Sequence, residues 1–537
     1  MKMKRIVHYI LALTLLSGIV SCDNPLKDFN LLISTEVIKH STTLEVLDTN
    51  GQPVNATIKL LGGDTQDIYN ISGYKDFKLV SNLVNFGVDP KREPTAVEPI
   101  RFQVEIAATG YITQVVDVTI SDANNGIMHI RLAKPVTVPD GAVVVNKTFG
   151  IDASGALPTE SKIEVAGEEG VNIDITIPQG TQFIGADGKV IVGKALTVSA
   201  TGFDPQDPDA LALFPGGRYQ ADGVTLANGS SASGTFNPAA TTTINMVIDG
   251  VPVRQFSKPI AIEMEISEGF TLGNGAPLTA GTILSTFSNS AYDPTWTHEQ
   301  DTPIKSSGSG YSVAFQVSHL TTFLAGEFRE SCAPVSIINF SADWIEQGFT
   351  YPVNVEAVQN GLVIASRTYS ISSDTKSIGM DYLPASGVQI VVRSTVNNSI
   401  IAQTALAACG SATNITIPNP NPVVEPKVTL QLYVRCPDKT DPITLLPTFQ
   451  LYYRVAGTGA FQYLGAVHNG FISTSLLKSD GTKYDFRAVW KERTKTVNAK
   501  SVQADNSGTV GIKPGDILGE KAGATNLGIL IEECNKL

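Results

Sequence analysis

Leu44-Glu45-Val46-Leu47-Asp48-Thr49-Asn50-Gly51-Gln52-Pro53-Val54-Asn55-Ala56-Thr57-Ile58 reads as strand, turn, strand. Leu44 and Val46 fall on one face of an extended segment and Glu45 on the other. Thr49-Asn50-Gly51 then supplies the left-handed and Asx-type geometry that reverses a chain. The same pattern returns along the sequence, at 102–108, 116–118, 127–132, 173–177, 194–200, 242–248, 353–357, 388–393, 428–434, 449–455 and 484–490. It is cleanest at 259–266, where Ile260, Ile262, Met264 and Ile266 alternate with Ala261, Glu263 and Glu265. A period of two over short runs predicts strands with one buried face.

Composition agrees. Of 537 residues, 17% are charged and 7% aromatic, with 47 Gly and 29 Pro, and no long helix-forming stretch interrupts the turns. The expectation is an all-β chain of tandem antiparallel β-sandwich domains, about three to five of them at roughly 100–200 residues each. The net charge is −12, and −15 once the cationic leader is removed. Phosphate backbones repel such a chain, so nucleic acid is an unfavourable partner. The charge is dispersed and serves solubility.

The amino terminus carries an address. Lys2, Lys4 and Arg5 precede an apolar run from residue 10 to 20, the layout of a secretory signal and too short for a stable membrane span. The run ends Ile19-Val20-Ser21-Cys22, which resembles the lipobox of bacterial lipoproteins, in the style of Bacteroidetes-type surface lipoproteins. The resemblance implies a leader at 1–21, a diacylglycerol thioether on Cys22, a tether at 22–30 and an outer-membrane, lipid-anchored chain at the cell surface. Several acyl chains hold a protein on a bilayer far better than one. With Cys22 set aside, Cys332, Cys409, Cys436 and Cys534 remain, an even number suited to an oxidising compartment. The proline-rich segment 418–426 separates them into pairs, which favours Cys332–Cys409 and Cys436–Cys534 among three pairings. No CxxC spacing supports metal ligation instead.

Four modules follow the tether. In the first, 31–135, Asp48-x-x-Gly51-x-Pro53-Val54-x-Ala56 with Ala108-x-Gly110-Tyr111 resembles the carboxypeptidase regulatory-like domain, a small transthyretin-like sandwich. The family name implies no peptidase. A zinc carboxypeptidase needs His-x-x-Glu, and none of His8, His40, His129, His298, His319 and His468 has Glu three residues on. Residues 62–101 exceed the short family form and read as a long loop, with a binding surface as the alternative. In the second module, 136–330, residues 175–183 with 187–190, 256–266 and 317–323 are similar to the zona-occludens/unc type of sandwich. That implies an interaction or structural role. The third, 331–417, reads as an immunoglobulin-like sandwich. The linker 418–426 has the alternating prolines of a semi-rigid spacer. In the fourth, 427–537, Leu477-Lys478-Ser479-Asp480-Gly481-Thr482-Lys483-Tyr484 resembles the tyrosine corner of fibronectin type III domains.

Chemistry-bearing patterns are sparse. There is no Gly-x-Ser-x-Gly, no P-loop and no His-Glu-x-x-His. Paired glycosidase carboxylates act from distant strands and stay open to sequence reading. Asp204, Asp207 and Asp209 place three carboxylates in one loop. That could serve a hard cation such as Ca²⁺, but the EF-hand spacing and glycine are absent and two prolines stiffen the loop. The competing reading is a solvated acidic turn, with no cofactor. Tyr292 and Trp296 are candidate rings for stacking on a sugar, against a buried sandwich tryptophan. Trp344 and Trp490 read as core, and His319 as a hydrogen-bonded structural histidine. The expectation is a non-catalytic surface lipoprotein for binding or adhesion, its membrane contact the lipid and its partner a glycan, matrix or envelope protein. The alternatives are a scaffold or accessory subunit of an outer-membrane complex, and an undetected glycan hydrolase.

Overall fold

The computed structural model describes residues 31–34, 38–122, 124–135, 137–167, 171–290, 293–308, 310–385, 387–406, 412–419, 428–435, 443–446, 448–490, 493–502 and 505–509. Cys22 with the expected leader and tether, Tyr292, Cys409, Cys436 and Cys534 lie outside the described residues. The fold is all-β, in tandem antiparallel β-sandwiches, with single-turn 3-10 segments at 65–67, 210–213 and 215–217. No helix of the described residues is long and apolar enough to cross a membrane. The chain divides into two compact units, one holding residues 38–424 with 491–495 and the other the remainder.

The larger unit begins with the opening stretch. Ser41–Asp48 is a strand, and Asp48 then closes the turn by accepting the backbone N–H of Asn50 at 2.9 Å and of Gln52 at 2.8 Å. Gly51 takes the positive φ of 71° that this turn requires. Ala56–Leu61, Ile100–Ala108 and Gln114–Ile120 form a three-stranded layer. Its inward residues, Phe102, Val104, Ile106, Val116 and Val118, pack on Leu44, Val46, Phe86 and Ile130 of the facing sheet.

Residues 62–101 are more than a loop. Leu83–Val88 is buried at every position and pairs antiparallel with Ser41–Asp48, and the Phe86 side chain is fully buried. Leu83-Val84-Asn85-Phe86-Gly87-Val88 does not alternate because both of its faces are covered, which is why the period of two missed it.

Among the described residues, the sheet that holds Ser41–Asp48 has eight strands and continues past the first segment. Asn124–Leu132 lies parallel to Ser41–Asp48 on one side. On the other it meets Leu362–Ser372 through Thr368 and Ile127. Thr350–Gln359, Gln389–Ser394 and Ile400–Ala405 extend the sheet from there. Val335–Ser341, Ser377–Asp381 and Thr413–Thr416 form a separate three-stranded sheet of the third segment. Segments separated in sequence by some 200 residues therefore share one sheet.

The segment between them has two sheets of its own around a core that includes Ile175, Leu196, Val198, Ile244, Ile262, Met264, Phe315 and Phe323. The alternation at 259–266 belongs to Gln255–Glu265, the central strand between Asn172–Ile177 and Gly310–His319. The smaller unit holds Phe449–Val455, Gln462–Val467 and Lys483–Trp490 in one sheet. Leu430, Leu451, Leu464, Ile472 and Phe486 fill its core. Leu31–Ser34 runs parallel to Ile443–Leu446 of this unit. The tyrosine-corner pattern is realised there: the Lys478 N–H donates to the hydroxyl of buried Tyr484 at 3.0 Å.

Candidate functional site

The densest polar chemistry is buried, where three sequence segments of the larger unit meet. Asp381 ends the strand Ser377–Asp381 and is 2% exposed. Arg218 Nη1 donates to its Oδ2 at 2.9 Å, and Arg367 Nη2 donates to its Oδ1 at 2.6 Å. Gln220 Nε2 donates to the Asp381 backbone carbonyl. The remaining guanidinium nitrogens reach the first segment. Arg218 Nη2 donates to the Asp117 carbonyl at 2.5 Å, with the Asp117 carboxylate at 3.8 Å, and Arg367 Nη1 donates to the Asn125 carbonyl at 3.1 Å. Burial opposes ionisation of Asp381, but the charges of Arg367 and Arg218 outweigh it and hold the carboxyl below the usual range.

Further bonds surround this centre. Gln114 Nε2 donates to the Ala212 carbonyl at 2.7 Å, and Gln114 Oε1 accepts the Gly216 N–H at 2.8 Å. Thr235 Oγ1 donates to the Tyr382 carbonyl at 2.7 Å. His129 stands between Glu45 Oε2 at 2.7 Å and Thr368 Oγ1 at 2.8 Å, and Thr368 in turn donates to Asn354 Oδ1. A cavity of about 90 Å³, lined in part by Met128, His129, Arg218, Arg367 and Asp381, adjoins the network. It is far below the roughly 300 Å³ at which ligand pockets begin. Both oxygens of Asp381 are taken by guanidinium groups, so the arrangement joins segments rather than presenting a reactive group.

The residues singled out from the sequence lie elsewhere. Trp296 is 4% exposed, stacked on Phe214 at 5.2 Å between ring centroids and tilted against Phe236 at 4.9 Å. Its faces are used by the core, which corrects the sugar-stacking candidate at this position. Trp344 is half-buried in a turn, with Nε1 donating to the Ile417 carbonyl at 2.8 Å and its ring edge-to-face with Phe349 and Tyr351. His319 bonds Glu299 Oε1 at 3.0 Å, and Ser288 donates to the same oxygen. Burial raises the Glu299 carboxyl, and the bonds from His319 and Ser288 bring it net below its ordinary range.

The acidic loop folds on its own backbone. Asp204 Oδ1 accepts the Gln206 N–H and Asp207 Oδ1 the Asp209 N–H, while Asp209 lies in exposed chain. Among the described residues, no three His, Cys, Asp or Glu side chains are grouped to hold a metal ion. Tyr219, buried, ties the loop down by donating to the Pro205 carbonyl at 2.6 Å. Cys332 is disulfide-bonded.

Sequence reading missed Arg218, Arg367 and Asp381. The available signal was a cation inside the apolar run Leu362-Val363-Ile364-Ala365-Ser366-Arg367, in a strand with buried flanks. Asp381 lies 14 residues from Arg367 and 163 from Arg218 along the chain, beyond any local pattern.

No family model and no curated protein matches the chain. Among solved structures it aligns with the Bacillus anthracis TIE protein at 10% identity, over 70% of this chain and 58% of that one, with a TM-score of 0.13. It also aligns with the major pilin subunit of Bacillus cereus at 8% identity, over 71% of this chain and 98% of that one, again at a TM-score of 0.13. At such scores neither match bears on function. The conclusion that the geometry carries is the fold: an all-β chain of tandem sandwiches whose larger unit is pinned by a buried ion-pair network.

Proposed function

We propose that this chain is a non-catalytic, lipid-anchored envelope protein that displays a binding or adhesive surface outside the cell. The observation that carries the reading is the Arg218–Asp381–Arg367 network. It spends buried charge on fixing three segments in one orientation, as a display scaffold requires, because loops bind well only when their supports are rigid. The leader and Cys22 supply the address, and the disulfide at Cys332 suits an oxidising compartment.

The test is localisation in the native host. Wild-type chain should label with a radioactive fatty acid, stay with the membrane fraction and be clipped when intact cells are treated with protease. Cys22→Ser should lose the label and leave the membrane. Membrane retention of the unlabelled Cys22→Ser chain, or full protection of the wild type on intact cells, would refute the reading.

A further inference from the structure

The larger sheet of the second segment is closed at one end and open at the other. Gln220–Thr225 pairs antiparallel with Ser231–Ile248 and meets Asp293–Pro303 through Thr225 and Thr297, so that end closes on itself. Ala142–Gly150 ends the sheet on the other side, and among the described residues it pairs with Ala195–Phe203 alone. Two flanking bonds fix which backbone groups this pairing uses. Ile151 N–H donates to the Lys194 carbonyl at 3.1 Å, and Asp204 N–H donates to the Gly141 carbonyl at 2.8 Å. The odd-numbered residues of the strand therefore bond across the sheet. The N–H and C=O groups of Ala142, Val144, Asn146, Thr148 and Gly150 point away from it and meet no partner among the described residues.

Open edges are normally guarded, because a row of unpaired strand groups templates another strand. Ser161–Ala166, an edge of the facing sheet, carries exposed Lys162 and Glu164. Ile400–Ala405, an edge of the sheet that crosses segments, is interrupted by a register shift between Val392 and Arg393 of its neighbour. Ala142-Val143-Val144-Val145-Asn146-Lys147-Thr148-Phe149-Gly150 has no such break, and its register with Ala195–Phe203 runs through all nine residues. It holds no proline. Its one charge, Lys147, falls on the same face as Val143, Val145 and Phe149, which pack on the core. The Lys147 ammonium donates to the Lys162 carbonyl at 3.4 Å. Asn146, Thr148 and Gly150 are exposed on the other face.

We infer that this edge pairs antiparallel with the same edge of a second copy of the chain, about a two-fold axis through Asn146. The occupant is a strand, because only another extended backbone satisfies N–H and C=O groups that recur at every second residue. The strand is a second copy, because the sequence is complementary to itself in this register. Ala142 faces Gly150 of the second copy, Val144 faces Thr148, and Asn146 faces Asn146. With the reciprocal pairs this makes about ten backbone bonds, at two per facing pair. On the core side Phe149 faces Val143 and Lys147 faces Val145, so an aromatic ring meets a β-branched residue and no like charges stand opposite. Centring the pairing on Lys147 instead would set two lysines face to face and use fewer bonds. An isologous two-fold contact is closed, so assembly stops at the dimer. The inference goes beyond the display role and uses no residue of the Asp381 network.

The experiment is sedimentation equilibrium over a wide range of concentration. It uses the full mature chain with Cys22→Ser, which drops the acyl chains and keeps every described strand. The expected result is twice the monomer mass, falling toward one mass on dilution. Asn146→Pro removes the central outward N–H and no bond of its own sheet, and should leave a folded monomer. Asn146→Lys and Asn146→Asp each set like charges opposite one another across the axis, and each should raise the dissociation constant about fivefold. An equimolar mixture of those two chains should pair more tightly than either does alone, since opposite charges then meet. This exchange tests the same register without a proline. Unaltered near-ultraviolet circular dichroism certifies the fold of each variant. A monomer at every concentration, as expected if the edge takes a strand from a different protein, would overturn the inference. So would a dimer that persists in folded Asn146→Pro, or a mixture no tighter than its parts. None of these results touches Cys22 lipidation or surface exposure, so the anchoring reading stands or falls separately.

Discussion

Asp381 concentrates the energetics of the larger unit in one carboxylate. Asp381→Asn keeps the shape but leaves two buried guanidinium groups without their counter-charge. Breaking a buried ion pair from one side costs about 3–5 kcal/mol, to be read as a lowered urea midpoint. The pH dependence has a definite sign. The Asp381 carboxyl is held below its ordinary value in the folded chain, so its contribution is fully present above the unfolded pKa of about 3.9 and is lost as pH falls through the folded pKa. Wild type should lose this increment only in acid, and Asp381→Asn should show a flatter acid limb in urea titrations. At Trp296 the core decides between the two readings of the ring, for the buried tryptophan and against the sugar platform. Trp296→Ala should cost about 3–5 kcal/mol as a core truncation and leave any carbohydrate binding in a folded chain unaltered. Its sequence neighbourhood, polar from Thr295 to Glu299, gave no sign that Phe214 and Phe236 would cover the ring, because both arrive from strands and turns 60 to 82 residues away.

At the scale of elements, alternation was enough wherever one face of a strand meets solvent. Gln255–Glu265, Phe449–Val455 and Ile100–Ala108 were legible for that reason. Leu83–Val88 was not, because a strand covered on both faces carries no period. The tyrosine corner was legible because one hydroxyl and one backbone N–H define it locally. Tyr484→Phe should lower the stability of the smaller unit by about 1 kcal/mol, measured by its thermal midpoint. Gly126 marks the junction of Asn124–Leu132 with Leu362–Ser372. It has φ of 70°, and a Cβ there would lie 2.9 Å from both the Thr368 carbonyl oxygen and the Tyr369 ring. Gly126→Ala should therefore destabilise by about 1–3 kcal/mol, because backbone and a buried ring both resist displacement.

At the scale of the whole molecule, sequence boundaries and structural units describe different things. The turn signals near 135 and 330 separate segments, each rich in its own strands. The sheet that runs from Ile68–Tyr69 through Asn124–Leu132 to Ile400–Ala405 crosses both boundaries in space. Long-range pairing of this kind leaves no local trace, since neither Thr368 nor Ile127 differs from an ordinary strand residue. The central claim is that the buried network couples the three segments. Hydrogen exchange read by mass spectrometry along a urea gradient tests it most directly, with peptides covering Asn124–Leu132, Gln220–Thr225 and Leu362–Ser372. One shared midpoint for the three peptides, moved down together by Asp381→Asn, is the predicted result. Three separate midpoints, with Asp381→Asn moving only the one that contains its own segment, would contradict the account.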